Sequence, residues 1–219
     1  AMCNRIRTCL RIFKKYRERF PSLQEQANIA LRFHCREGNT KWVSLMLWAG
    51  ADPTTPGESE PNAVPDPEDD GLSAFGFAAL YGHYELFSLK NFAVPVDHPA
   101  AQDVYQYGCN GEGLPIVEKL FQQGLNPNDQ ANGGSSVIQS LLSGYILLSR
   151  DFMEAIHLIA KYGGRWCPID SDEINTVRRS FLKKKPDYTV EFIRIMAKYQ
   201  ACSKSDIEIL LRTPTIKRH

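Results

Sequence analysis

Along this chain, two adjacent apolar residues are repeatedly followed four positions later by two more, and then by a glycine. In "TKWVSLMLWAGADP" the pairs are Trp42, Val43 and Met46, Leu47, ahead of Gly50. The same offsets from Gly124 reach Ile116, Val117, Leu120 and Phe121, and from Gly163 they reach Ala155, Ile156, Ile159 and Ala160. Counting back from Gln200 gives Phe192, Ile193, Met196 and Ala197. Apolar pairs four apart share one helical face, so the pattern predicts four helices with a common ending. Glycine suits that ending because it enters the left-handed conformation without steric cost. Gln200 departs from the rule. Helices that end alike at repeat-length intervals predict a stacked array.

The stretch "DGLSAFGFAALYGHYEL" supplies a weaker copy, two helical segments joined at Gly82. It resembles the ankyrin repeat, whose consensus runs approximately Asp-Gly-x-Thr-Pro-Leu-His-x-Ala-Ala-x-x-Gly-His-x-Glu. The matching residues are Asp70, Gly71, Ser73 in the threonine place, Ala78, Ala79, Gly82, His83 and Glu85. "AGADP" (49–53) matches the end of the motif, and "GLNPN" (124–128) is a looser copy. Ala74, Phe75 and Gly76 replace Pro-Leu-His, so the histidine that ties neighbouring repeats is missing and packing is expected to carry the stacking there. The second helix of this unit should decay after Leu89, where Lys90 and Asn91 replace the apolar pair.

The resemblance implies an all-α, ankyrin-like α-solenoid of helix-turn-helix repeats with hairpin fingers and helical caps. Five repeats are expected at 22–55, 70–97, 98–130, 131–168 and 169–202. A basic amphipathic helix (1–21) would cap the start, and a short helix with tail (203–219) the end, with Ser203 or Ser205 as N-cap. The leading Ala1 before Met2 reads as a tag remnant. In such a repeat, the first-helix positions five and one residues before the internal glycine face the concave groove. Here they are Phe33 and Glu37, then Phe77 and Tyr81, with Tyr105 and Tyr107 continuing the row. Buried by a partner, groove aromatics are worth roughly 2 kcal/mol or more each; alternatively they pack on one another. Trp48 is expected against a neighbouring repeat.

Charge adds local detail. Lys and Arg number 26 against 25 Asp and Glu, a net +1 that argues against wholesale nucleic-acid binding. Yet residues 1–20 hold seven bases against Glu18 alone, and 57–70 hold six acids and no base. The first helix carries a stripe of Ile6, Cys9, Leu10, Phe13 and Phe20; it reads either as a cap or as a binder of membrane surface or nucleic acid. The acidic, proline-rich insertion 53–70 is expected as an exposed finger. A second basic cluster, Arg178, Arg179, Lys183, Lys184 and Lys185, is a solvated helix face or a patch for an acidic partner.

Little points to catalysis. No two of the five histidines are spaced for a helical metal site, and adjacent His34 and Cys35 point apart on a helix and read as core fillers. "NGGSS" (132–136) lacks the lysine of a phosphate loop, and Ser135 or Ser136 should start the next helix. No cofactor and no metal are implied. Six scattered cysteines and no apolar run long enough to span a bilayer point to a reduced, cytoplasmic protein, with translocation as an effector left open. The expected function is a non-enzymatic, monomeric module that binds a partner protein as effector, immunity-type inhibitor or regulatory subunit. The alternative is a nucleic-acid or anionic-surface binder using the first helix and the 178–185 cluster.

Overall fold

The computed structural model describes residues 2–57, 71–129, 136–143, 150–168, 172–177 and 186–211. Its elements are α1 (Met2–Tyr16), α2 (Pro21–Arg36), α3 (Thr40–Ala49), α4 (Ala74–Leu80), a 3-10 segment (Tyr84–Ser88), α5 (Ala100–Tyr107), α6 (Leu114–Gln122), α7 (Val137–Ser143), α8 (Arg150–Lys161), a helical stretch at 172–177 (α9), α10 (Pro186–Tyr199) and α11 (Lys204–Leu211). No strand occurs among the described residues, so the protein is all-α. The chain divides into two compact units, Ala1–Gly108 with Pro115–Leu125, and Cys109–Leu114 with Asn126–His219. The division falls inside the stretch expected as the third repeat.

The expected helix ending is present in one recurring form. Gly50 has φ 100°, and the next amide, Ala51 N–H, donates back to the Met46 carbonyl at 3.0 Å. This bond satisfies a carbonyl that the helix end would otherwise leave without a partner. The same closure joins Leu125 to Leu120 (3.0 Å), Gly164 to Ile159 (2.9 Å) and Ala201 to Met196 (2.9 Å). In each case the accepting residue is the apolar one four positions before the cap, and its side chain is buried. One residue thus fixes both the helix end and its place in the core. Gln200 closes its helix at φ 51°, the sole positive φ at a non-glycine among the described residues. A left-handed side chain costs roughly 1–2 kcal/mol.

Unit 1 is built from paired helices. α2 turns at Gly38 into α3, and α4 turns at Gly82 into the 3-10 segment, each through the same backward bond (Asn39 to His34, 2.9 Å; His83 to Ala78, 2.8 Å). The second member of the second pair shrinks to a single 3-10 stretch, where the apolar pairing lapses. His83 donates from Nε2 to the Arg36 carbonyl (2.8 Å), tying the end of α2 to the unit that follows. Its ring lies over Gly38, where an added Cβ would come within 2.4 Å of it. Leu31, Cys35, Val43, Phe75, Leu86 and Phe92 form the core, with the Phe75 and Phe92 rings 4.5 Å apart.

Packing does not act alone where the expected histidine is missing. Ser73 caps α4 by accepting from Gly76 N–H (3.1 Å) and donates to Asp103 Oδ2 on α5 (3.1 Å). Gly76 leaves the room this needs, since a Cβ there would lie 3.0 Å from Asp103 Cβ. Burial pushes the Asp103 carboxyl above its ordinary 3.8, and the Ser73 bonds oppose the shift.

The start of the expected insertion, 53–57, is hydrogen-bonded into the fold. Buried Asn28 accepts from Asp52 N–H (2.8 Å) and donates to Thr55 Oγ1 (3.2 Å). Ala74 N–H donates to the Pro53 carbonyl (3.1 Å), and Gly57 N–H to the Leu72 carbonyl (3.1 Å). Residues 53–57 are therefore pinned; 58–70 lie outside the described residues. At α1, Ile6, Leu10 and Phe13 are half-buried and α1 packs on α3, whereas Cys9 and Phe20 of the expected stripe are exposed. Arg17 and Gln24 both donate to the Gly50 carbonyl at the end of α3.

Unit 2 uses an asparagine in the same way. Asn128 donates to the Gly163 carbonyl (3.0 Å) and accepts from Arg165 N–H (2.8 Å). Trp166 N–H donates to the Ala201 carbonyl (2.7 Å), and its fully buried ring meets Phe192 edge-on at 5.6 Å. Glu173 accepts from Trp166 Nε1 and Gln139 Nε2, both at 3.3 Å. Ser136 starts α7 by accepting from Gln139 N–H, and Ser203, rather than Ser205, caps α11 by accepting from Asp206 N–H.

Chemical unfolding should rank the closures. Gly124→Ala meets no neighbour and should lose about 1 kcal/mol from backbone strain alone. Gly38→Ala should lose more, because His83 must also move. Gln200→Gly should gain about 1 kcal/mol. Asp103 has a folded pKa raised above its unfolded value, so the stability it contributes is full below 3.8 and lost as pH rises through the raised value. Asp103→Asn, measured against the wild type, should therefore gain relative stability as pH rises from 3.8 toward neutrality.

Candidate partner-binding face

α2 and α4 pack against each other, and each ends at a left-handed glycine, so positions counted back from Gly38 and Gly82 are equivalent. Phe33, midway along this register on α2, is 56% exposed. Glu37 follows the last turn of α2 and is also exposed. Tyr81, its counterpart after α4, is 38% exposed, and the Arg36 guanidinium sits 5.1 Å from its ring. This cation couples the ends of the two helices at the surface.

The aromatic row is shorter than the sequence implied. Phe77 is buried, its ring stacked on Tyr81 at 6.3 Å, so it supports the exposed tyrosine from below. Tyr105 is fully buried, edge-on to Phe121 at 5.1 Å, and belongs to the core. Gly108, which ends α5, has φ -83° and does not make the left-handed turn of Gly38 and Gly82, and α5 turns this side chain inward. Tyr107 is half-buried, and its carbonyl accepts from the Tyr84 hydroxyl (3.4 Å). The face that remains is Phe33, Glu37 and Tyr81, with Arg36 added. Sequence spacing missed Arg36 because its ring partner lies on the next helix pair; aligning the two glycine turns would have placed both residues at the same end.

Beneath Phe33, the His34 ring stacks on Trp42 at 5.3 Å. Burial lowers the His34 pKa, opposed by the charge of Glu37, which favours the neutral ring. Burial pushes the Cys35 thiol up to about 12. Burial thus favours the protonated thiol over the nucleophilic thiolate near neutral pH. The other described histidines are engaged separately: His98 Nδ1 accepts from Ala100 N–H, and His157 shares a hydrogen bond with the Tyr199 hydroxyl. Among the described residues, no three His, Cys, Asp or Glu side chains gather as a metal site.

Trp48, expected against a neighbouring repeat, stands partly at the surface. It is 45% exposed, and the Lys14 ammonium of α1 lies 4.9 Å from its ring. The cluster of Arg178, Arg179, Lys183, Lys184 and Lys185 lies outside the described residues. No helix of the described residues is long and apolar enough to cross a membrane. No family model matches the sequence, and no curated protein matches it.

Thiol labelling distinguishes a buried Cys35 from a reactive one. At mildly alkaline pH, Cys9 and Cys167, both exposed, should react promptly with an aromatic disulfide reagent. Cys35 and Cys109, both buried, should react only after unfolding, as read by mass spectrometry of the labelled peptides.

Proposed function

We propose that this chain is an ankyrin-like repeat protein that binds another protein through the face formed by α2 and α4, without chemistry of its own. The observation that carries the reading is the exposure of Phe33 on α2 and of Tyr81 at the end of α4, two helices that pack on each other. Large aromatics held on rigid helices are the side chains that dominate interface energies. Phe77 beneath Tyr81 and Arg36 beside it hold the ring in place before a partner arrives, which lowers the entropy lost on binding. Glu37 and Arg36 supply charges of both signs at the rim, suited to orienting a partner. The recurring helix closures and the His83 tie are what a repeat scaffold requires, since each unit must be braced by the next. An effector, an inhibitor or a regulatory subunit would each use such a face in the same way.

The test is affinity capture from the source cell with mass-spectrometric identification, run side by side with Phe33→Ala/Tyr81→Ala. An unfolding midpoint measured on the same variant verifies that the fold is kept. A partner retained by the wild type should weaken roughly 30-fold or more per hot-spot residue removed. Undiminished capture of every partner by the double variant would refute this face as the binding site.

A further inference from the structure

We propose that α1 docks unit 1 on the anionic surface of a phospholipid bilayer. The inner stripe of α1, Ile6, Leu10 and Phe13, is half-buried in a helix that packs on α3. That contact accounts for a capping role but not for the opposite side of the helix. Spacings of three and four residues set Arg5, Thr8, Ile12, Lys15 and Tyr16 on the side away from the stripe, and all five are exposed. Arg7, Arg11, Lys14 and Arg19 are exposed as well, and Glu18 is the single acid in residues 1–20. The outward surface is therefore one sign of charge.

A solvated cap has no use for large apolar groups among those cations. Yet Ile12 is 55% exposed, Tyr16 36%, Phe20 49%, and Trp48, beside α1, 45%. Three of the rings lie near cations: Lys15 at 5.3 Å from Tyr16, Arg19 at 5.9 Å from Phe20, and Lys14 at 4.9 Å from Trp48. Amphipathic rings mixed with lysine and arginine are the composition that settles at the boundary between headgroups and acyl chains. Nucleic acid would use the cations and could stack on the rings, but it offers nothing for Ile12, whereas the bilayer takes all of these groups together. Neither attraction is strong alone. Each base near an anionic leaflet adds roughly a fivefold gain in partition, and each buried apolar group adds a comparable factor.

Flotation of the whole protein with phospholipid vesicles tests the inference. It should bind vesicles containing about one third phosphatidylserine and not vesicles of phosphatidylcholine alone, with binding weakened as salt rises. Arg11→Glu/Lys15→Glu should lower partition at least tenfold, and Ile12→Ser/Tyr16→Ser should lower it severalfold at physiological salt. All four side chains face solvent, and an unchanged unfolding midpoint verifies that the fold is kept. Phe33→Ala/Tyr81→Ala should bind vesicles normally, so this inference and the partner-binding reading fail separately. Absence of binding to phosphatidylserine vesicles at low salt would overturn the proposal. So would binding that neither α1 variant weakens, or tight binding of RNA or DNA by a chain that leaves the vesicles free.

Discussion

The backbone bond that runs from the residue after a left-handed cap to a carbonyl five positions earlier governs the rest of the structure. Each closure of this kind ends its helix while the accepting residue's side chain stays in the core, at Met46, Leu120, Ile159 and Met196. Coupling the two in one residue means that the helix cannot be lengthened without withdrawing an apolar side chain from its site. The segments that follow the caps then start from fixed points. Asn28 and Asn128 can therefore read the backbone just beyond such a cap with one amide side chain each, two residues after Gly50 and two after Gly163.

Ties between successive helix pairs are polar, short and few. Two of those in unit 1, His83 to the Arg36 carbonyl and Ser73 to Asp103, join residues far apart in sequence at helix ends. Each needs a glycine to open the space, Gly38 under the imidazole and Gly76 under the aspartate. Substituting the tie and keeping the glycine is a different perturbation from filling the glycine and keeping the tie. The second moves a ring or a buried carboxylate as well as losing a bond, so the cost is greater.

Helix ends were legible because glycine and the apolar pairs are local signals, read without knowing what lies opposite. Even the exception, Gln200, was placed correctly by counting, and the structure adds only that its backbone takes the strained conformation. Exposure was legible where a glycine turn anchored the register, as at Phe33, Glu37 and Tyr81, and illegible at Tyr105, where no turn did. Phe77 failed for another reason: a position that faces outward on one helix is covered when a neighbouring ring, here Tyr81, lies across it. The lysine beside Trp48 was not legible because it comes from α1, outside the repeat pattern. Asp103 could not be foreseen as a replacement for a missing histidine, since its partner lies 30 residues away.

Amide hydrogen exchange at the four closures tests the account most directly. The amides of Ala51, Leu125, Gly164 and Ala201 lie beyond the helices, where an ordinary loop amide exchanges freely. If the closures bind the helix ends into the core, these four amides should exchange as slowly as the buried helical amides of Val43, Val117, Ile156 and Phe192. Exchange at the rate of an unprotected chain, with the helical amides still slow, would contradict the account.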